Sequence, residues 1–415
     1  MKCVPDYLLK IFLHFSLNKI LQFLDFVSKN FYCNNREFYF ATSGITTLQF
    51  PVILLYNKYS EAEGIHSWHQ RTLRDLDFGS NPGLIIYKYR KIVCPECGSI
   101  KVEQLDVTDP GGPQVTDRMA RYIYELCKLM PVKQVADHLN LDWKTVKNID
   151  KSFLEEEYGK TDYSHSGYLA VDEISMGKYH KYLTVIIDFI TGRVIWAGKD
   201  RKVKTLDKFF KNMPQQDREN IKAVAMDMWD PFIKSVKKWC PNASIVFDKF
   251  HIVSNFNDVI DSVRRKEQKN KALSEKQQKV IKGSRWILLK NQDNLKDKEV
   301  PKLEKLLELN KNLSKVYILK DELKMIWDAN SLEDMEKALD SWCKKALQTE
   351  LKPVIKFVNM LQKHRYGILA YTDYQIHTSK LEGTNNRIKE LKRRAYGYHD
   401  PEYYKLKIKQ AFPGD

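Results

Sequence analysis

Hydrophobic and polar positions change period several times along this chain. From His66 to Arg90 they alternate, as in a strand with one buried face, and Asn81-Pro82-Gly83 reads as the turn of a hairpin. From Thr116 to Met130 the spacing is helical. Val132 to Ile149 then carries two short helical patterns around a turn. Ala136 is small where two helices must cross, and Asn140 suits a left-handed turn residue. Leu141, Val146 and Ile149 fill a small core, and Asp142 is placed to cap the second helix. From Gly167 the period shortens to two. Strands are expected over Tyr168–Ile174, Lys181–Phe189 and Arg193–Lys199, with Thr191-Gly192 as the second turn. Helix Lys204–Met213, strand Ile221–Met226, helix Pro231–Trp239 and strand Ala243–Phe247 follow. Residues 254 to 376 read as almost wholly helical. One apolar stripe there is Leu319, Leu323, Ile326 and Trp327. Another is Leu332, Met335, Leu339, Trp342 and Cys343, opened by Ser331 as a cap with Asp334 three residues on. Both are read as core packing without chemistry.

Composition adds a partner to this outline. The 415 residues are enough for two or three domains, and Lys+Arg exceed Asp+Glu by 69 to 53, a net charge of +16. A solvated basic surface is the plain explanation. Clustering of the cations near candidate sites favours a polyanion, because Lys and Arg displace counterions from phosphates. Seven cysteines at irregular spacing argue against a disulfide framework and for a reducing, cytoplasmic setting. Leu8–Val27 is apolar but broken by Lys10, His14, Asn18, Lys19 and Asp25, so an amphipathic helix is expected rather than a membrane span or signal peptide.

Three acidic residues carry the chemistry. Asp172 and Asp227 end short apolar runs that read as strands, and Glu382 opens the basic helical stretch Glu382-Gly383-Thr384-Asn385-Asn386-Arg387-Ile388-Lys389. A carboxylate at the end of a buried strand is costly unless something pairs with it. Three of them brought together make a site for hard divalent cations. Mg²⁺ suits it, with two ions expected and Mn²⁺ as a substitute, and such a pair can run in-line displacement at phosphorus. On a helix Glu382, Asn386, Lys389 and Arg393 share one face, a metal-ligand candidate continued by DNA-binding groups. Glu173, Asp248 and His251 are candidate supporting residues beside the acids. Lys144, Thr145, Lys147 and Asn148 face outward at the start of a helix shaped for a major groove. Cys94-Pro95-Glu96-Cys97 is half of a zinc ribbon, with Cys33, His66 and His69 as poorly spaced candidates for the missing ligands. A turn with two free thiols is its plain alternative.

These segments resemble the DDE transposases of bacterial insertion sequences of the ISL3 family, from about His66 to Tyr398. The most specific piece is Glu382–Lys389 with Lys392-Arg393-Arg394-Ala395-Tyr396-Gly397-Tyr398. Val171-Asp172-Glu173, Met226-Asp227-Met228-Trp229, Asp248-Lys249-Phe250-His251 and Arg285-Trp286-Ile287-Leu288-Leu289-Lys290-Asn291 are also similar, as is the helix-turn-helix. The resemblance implies Asp172, Asp227 and Glu382 as a catalytic triad. It also implies a ribonuclease H-like α/β domain with a mixed sheet and a large helical insertion, binding to terminal inverted repeats and target DNA, and a homo-oligomer on DNA. No membrane partner is expected. The departure is N-terminal. Family members usually carry two CxxC knuckles, and this chain shows only Cys94 and Cys97. An upstream start, a frameshift or a decayed first knuckle each accounts for that.

The expected organisation is an atypical segment over 1–64 and a partial zinc-ribbon-like region over 65–113. A helix-turn-helix follows over 114–160, then the first part of the catalytic domain over 161–253. A helical insertion over 254–376 precedes the Glu-bearing helix and tail over 377–415. Two main readings of function stand, with a nuclease of the same fold that is not a transposase as a third. One is a transposase that cleaves its element's ends and transfers the strands. The other is a defective or domesticated relative acting as a sequence-specific DNA-binding regulator.

Overall fold

The structure, a computed structural model, describes residues 36–41, 52–57 and 64–414, apart from 80, 95–96, 103–107, 109–111, 165 and 178–180. The helix expected over Leu8–Val27 and the candidate ligand Cys33 lie outside the described residues. Two compact units divide the chain, Met1–Phe153 and Leu154–Asp415.

In the first unit, β1 (Arg36–Ala41), β2 (Val52–Asn57), β3 (Ile65–Phe78) and β4 (Asn81–Val93) form a sheet in the order β1-β2-β4-β3, and β5 (Ile100–Val102) pairs with β4. The hairpin expected from alternation is present, but its turn is not at Asn81–Gly83. Those residues begin β4, and Phe78 pairs with Asn81. Gly79, with φ of 66°, takes the left-handed turn position. Pro82 has no N–H to give the ladder, and the register shifts opposite it, between Asp75 and Phe78.

Three helices follow: α1 (Asp117–Leu129), α2 (Val132–Leu139) and α3 (Trp143–Tyr158). Asn140 has φ 50° and ψ 48°, and its N–H turns back to the carbonyls of Ala136 and Asp137. Asp142 Oδ2 accepts from the N–H groups of Lys144 and Thr145 at 2.9 and 3.2 Å. Met119, Ile123, Val135, Ala136, Leu139, Val146 and Ile149 are buried together, with Leu141 partly buried against them. Lys144 and Asn148 are exposed, whereas Thr145 and Lys147 are half-buried. Thr145 lies one turn before buried Ile149 and Lys147 one turn before buried Asp150, so their faces turn partly inward.

A five-stranded mixed sheet organises the second unit. β6 (Tyr168–Gly177), β7 (Lys181–Asp188) and β8 (Val194–Lys199) are antiparallel, and β9 (Ala223–Met226) and β10 (Ser244–Phe247) add in parallel, in the order β10-β9-β6-β7-β8. The central strand β6 sends Leu169 and Val171 into one core and Ala170 and Ile174 into the other, as period-two alternation requires. Helices α4 (Val203–Asn212), α5 (Gln215–Glu219) and α6 (Asp230–Trp239) connect the later strands.

Helical structure begins directly at Lys249, earlier than the expected residue 254. Asp248 caps α7 (Lys249–Gln268) by accepting from Phe250 N at 3.0 Å. The insertion continues through α8 (Glu275–Gly283), α9 (Arg285–Leu289), α10 (Val300–Leu309), α11 (Lys311–Met325), α12 (Leu332–Leu347), α13 (Lys352–Lys363) and α14 (Arg365–Leu369). Both apolar stripes are buried, except Leu332, which is 45 % exposed at the first position of α12. Gly367 lets α14 lie on the sheet, because a Cβ there would stand 2.4 Å from the Phe247 ring. The chain then returns in α15 (Ser379–Arg394) and α16 (Pro401–Ala411), and Tyr404 donates its hydroxyl to the Ile388 carbonyl at 2.9 Å.

Candidate active site

Asp172 occupies the middle of β6, opposite Val185 on β7. Asp227 is the first residue after β9, the parallel neighbour of β6. Adjacent strands therefore deliver both carboxylates to one region, as their positions at the ends of apolar runs imply. Burial pushes the Asp172 carboxyl above the usual carboxylate range. Negative charge on Asp227 adds to that rise, while the Glu173 N–H, His251 and Asn385 oppose it.

The return helix α15 reaches this place by its buried face. Leu381 and Ile388 enter the core beside Ala170, Ile174 and Val185. Between them, Asn385 donates its amide to Asp172 Oδ2 at 2.7 Å, across 213 residues of sequence. Its own Oδ1 is buried and accepts no hydrogen bond. Glu382 precedes Asn385 by one turn and is exposed, with Asn386, Lys389 and Arg393 exposed on the same side. Among the described residues, no group of three or more His, Cys, Asp and Glu side chains stands close enough to hold a metal ion. Two strand aspartates thus approach each other, while the glutamate faces solvent on the helix docked beside them.

Asp248 and His251 lie at the mouth of the insertion. His251 Nδ1 is 3.5 Å from Asp227 Oδ2, and its Nε2 is 3.9 Å from Asp248 Oδ2. Asp248 is buried and also accepts a short hydrogen bond from the Thr378 hydroxyl. Thr378 immediately precedes α15, so this bond joins the residue before the insertion to the residue before the glutamate helix. Glu173 is half-buried and pairs with Arg201 at 3.2 Å, and its Oε2 is buried without a hydrogen bond. Burial, then the Asp172 charge, raises the Glu173 carboxyl. Arg201 lies against the Tyr182 and Trp229 rings, 4.1 and 4.6 Å from their centroids.

Asn385, Thr378 and Arg201 were not among the expected site residues. Asn385 stands inside the most specific motif, but the helix face that carries Glu382, Asn386, Lys389 and Arg393 leaves it out, since one residue's step turns it about 100° away from Asn386. Nothing local marks Thr378, whose partner is 130 residues away.

Among the described residues, Cys94, Cys97, His66 and His69 form no zinc-holding group. Cys94 is half-buried, and Cys97 is exposed with its Sγ 2.9 Å from Ser99 Oγ. His69 uses Nε2 on Ser67 at 2.8 Å and stacks on Tyr89, and His66 Nδ1 meets the same hydroxyl at 3.1 Å.

A helix-turn-helix thus precedes a mixed α/β domain that carries two strand aspartates, and matches to known proteins give the class. A family model described as "Transposase" matches residues 169–408, and one described as "Helix-turn-helix domain of transposase family ISL3" matches residues 111–154. The chain belongs to the ISL3 family of transposases. It is 37 % identical over 352 residues to the transposase for insertion sequence element IS1001 of Bordetella parapertussis, covering 85 % of this chain and 86 % of that protein. It is 24 % identical over 367 residues to the transposase for insertion sequence element IS1557 of Mycobacterium tuberculosis, covering 83 % and 81 %. No helix among the described residues is long and apolar enough to cross a membrane.

Proposed function

We propose that this transposase binds the terminal inverted repeats of its element and catalyses Mg²⁺-dependent strand cleavage and strand transfer. Asp172, Asp227 and Glu382 are its acidic triad, in a ribonuclease H-like domain split by the helical insertion. The observation that carries this reading is the Asn385–Asp172 hydrogen bond, which brings the Glu382 helix against the central strand. Strand order supports it too: an antiparallel β6-β7-β8 set extended by parallel β9 and β10.

The donor set fits a hard divalent cation. Every nearby donor of the three motifs is an oxygen, from Asp172, Asp227 and the unsatisfied Asn385 Oδ1. The raised Asp172 carboxyl ionises more readily beside a cation than beside Asp227 alone. When bound, a pair of Mg²⁺ ions would activate the attacking water or 3′-hydroxyl and stabilise the leaving oxygen. Asp172 and Asp227 would hold them, with Glu382 closing the site from its helix. Asn385 keeps Asp172 oriented, and Thr378 and Asp248 fix where α15 starts. His251 stands by Asp227, within reach of a water or phosphate there. Asn386, Lys389 and Arg393 offer the strand a polar and basic face next to Glu382. Because an element has two ends, a pair of copies, one per end, is the working form.

The test uses a DNA fragment of the native locus with both flanks, incubated with the protein with and without Mg²⁺. Breaks mapped at nucleotide resolution should appear at two matching inverted sequences only with the metal. Tight, specific binding at those sequences without any breaks would instead support the regulator.

Recognition through α3 gives a separate expectation. Lys144→Ala and Lys147→Ala should each weaken binding to the element ends. If these lysines contact phosphates, each loss lowers the slope of log K against log salt by about 0.9. End binding measured from 50 to 300 mM salt checks this. An unchanged affinity and slope in both variants would remove α3 as the recognition helix.

A further inference from the structure

The insertion carries a second basic surface, far in sequence from the three acids and from α3. Residues 261–290 contain ten Lys and Arg against three Asp and Glu. Within it, three arginines gather around one buried carboxylate. Asp261 is 2 % exposed, and its Oδ1 accepts from Arg264 Nε and Nη2 at 2.8 and 2.7 Å. Its Oδ2 accepts from Arg265 Nε at 2.8 Å, and Arg285 Nε lies 3.6 Å from Oδ1. One carboxylate cannot neutralise three guanidinium groups, and the side chains of Arg265 and Arg285 are 66 % and 45 % exposed. Asp261 therefore holds them in place and leaves positive charge facing solvent.

Beside this cluster stands Trp286, 69 % exposed, with Arg285 5.1 Å from its ring centroid. It is the most exposed of the chain's eight indoles. Its helix is nonetheless firmly anchored. Buried Lys320 donates to the carbonyls of Leu288 and Lys290 at 3.0 and 2.7 Å, and Leu288 is fully buried. Trp286 is thus presented on a fixed support.

We propose that this face binds unpaired nucleotides of DNA, a base stacking on Trp286 and phosphates held by Arg265 and Arg285. Charge complementarity selects the partner class, since ten cations in thirty residues suit a polyanion. The aromatic ring selects the strand state, because bases of an intact duplex do not offer their π-faces whereas unpaired bases do. The inference rests on the proposed strand-cutting activity, which supplies unpaired ends, and extends it to a site outside the acidic triad.

The experiment measures two affinities of the full chain at fixed salt. One probe is a 20-nucleotide oligodeoxythymidine, and the other is a blunt duplex of the element end. Trp286→Ala should weaken oligodeoxythymidine binding on the order of ten-fold or more, and Trp286→Phe should restore most of it. Arg265→Ala with Arg285→Ala should weaken it further and flatten its salt dependence. Duplex binding should stay near wild type in all of these, while Lys144→Ala with Lys147→Ala lowers duplex binding only. Failure of the duplex arm alone counts against the assigned recognition helix and leaves this proposal standing. Unchanged oligodeoxythymidine binding in Trp286→Ala overturns the proposal. So does a loss of self-association in that variant, by sedimentation, without any loss of oligodeoxythymidine binding, which would make the face a protein interface.

Discussion

Asp172→Ala, Asp227→Ala and Glu382→Ala are each expected to reduce Mg²⁺-dependent cleavage of the element ends by roughly a thousand-fold or more, with end binding nearly unchanged. The magnitude follows from the several kcal/mol that metal-assisted charge stabilisation supplies, at about 1.4 kcal/mol per factor of ten. Binding is spared because Lys144, Thr145, Lys147 and Asn148 belong to the unit Met1–Phe153, whereas the three acids belong to the unit Leu154–Asp415. Glu382→Ala is the most informative of the three. Its side chain is exposed, so the substitution leaves α15 packed through Leu381, Asn385 and Ile388. Loss of cutting with an unaltered melting temperature would therefore be chemical. A Glu382→Ala protein that cuts at the wild-type rate would falsify the triad. Asp172→Asn separates charge from shape, because the amide keeps the volume beside Asn385 and removes the anion. Cleavage assays with Mg²⁺ and with Mn²⁺, alongside end-binding titrations, read all four variants.

Removal of one buried indole should have the largest effect on stability. Trp342 is 3 % exposed in α12, donates Nε1 to the Leu319 carbonyl at 2.9 Å, and meets Phe256 and Phe357 edge-on at 5.5 and 5.8 Å. It joins α11, α7 and α13 in one contact set. Trp342→Ala should cost about 3–5 kcal/mol from lost burial and the cavity left behind. The Leu319 carbonyl it served is helical, so the added loss there is small. A fall in melting temperature of roughly 6–20 °C follows for a unit of this size. Trp342→Phe should recover most of the loss, since area returns without the N–H. Cleavage at low temperature should survive in the alanine variant, because the indole touches none of the acids. A shift of under about 1 kcal/mol in urea unfolding would show that α12 is not part of the cooperative core.

The chain's periodicities determined most of the elements. Strands β6 to β10, helices α4 and α6, the left-handed Asn140 and the Asp142 cap all follow from short-range pattern, because side-chain spacing and capping are local physics, whereas the five-residue α5 is too short to show a period. The same locality explains the misplaced hairpin turn. Asn81-Pro82-Gly83 has turn composition, but Gly79 could take the positive φ two residues earlier and leave Pro82 at a bulge. Residue types at strand ends and on one helix face are what single out Asp172, Asp227 and Glu382 in the sequence.

What those acids meet was decided only in three dimensions. The Asn385 amide on Asp172 and the Thr378 hydroxyl on Asp248 span 213 and 130 residues, and no period or motif reports such pairs. Sequence set the helix face that carries Glu382, yet tertiary packing chose which face is buried. Leu381 and Ile388 gain more by entering the core than a carboxylate would, so Asn385 is drawn down to Asp172 and Glu382 is left in solvent. Long-range burial, rather than local preference, is what set the Asn385 face of α15 against the strand that carries Asp172.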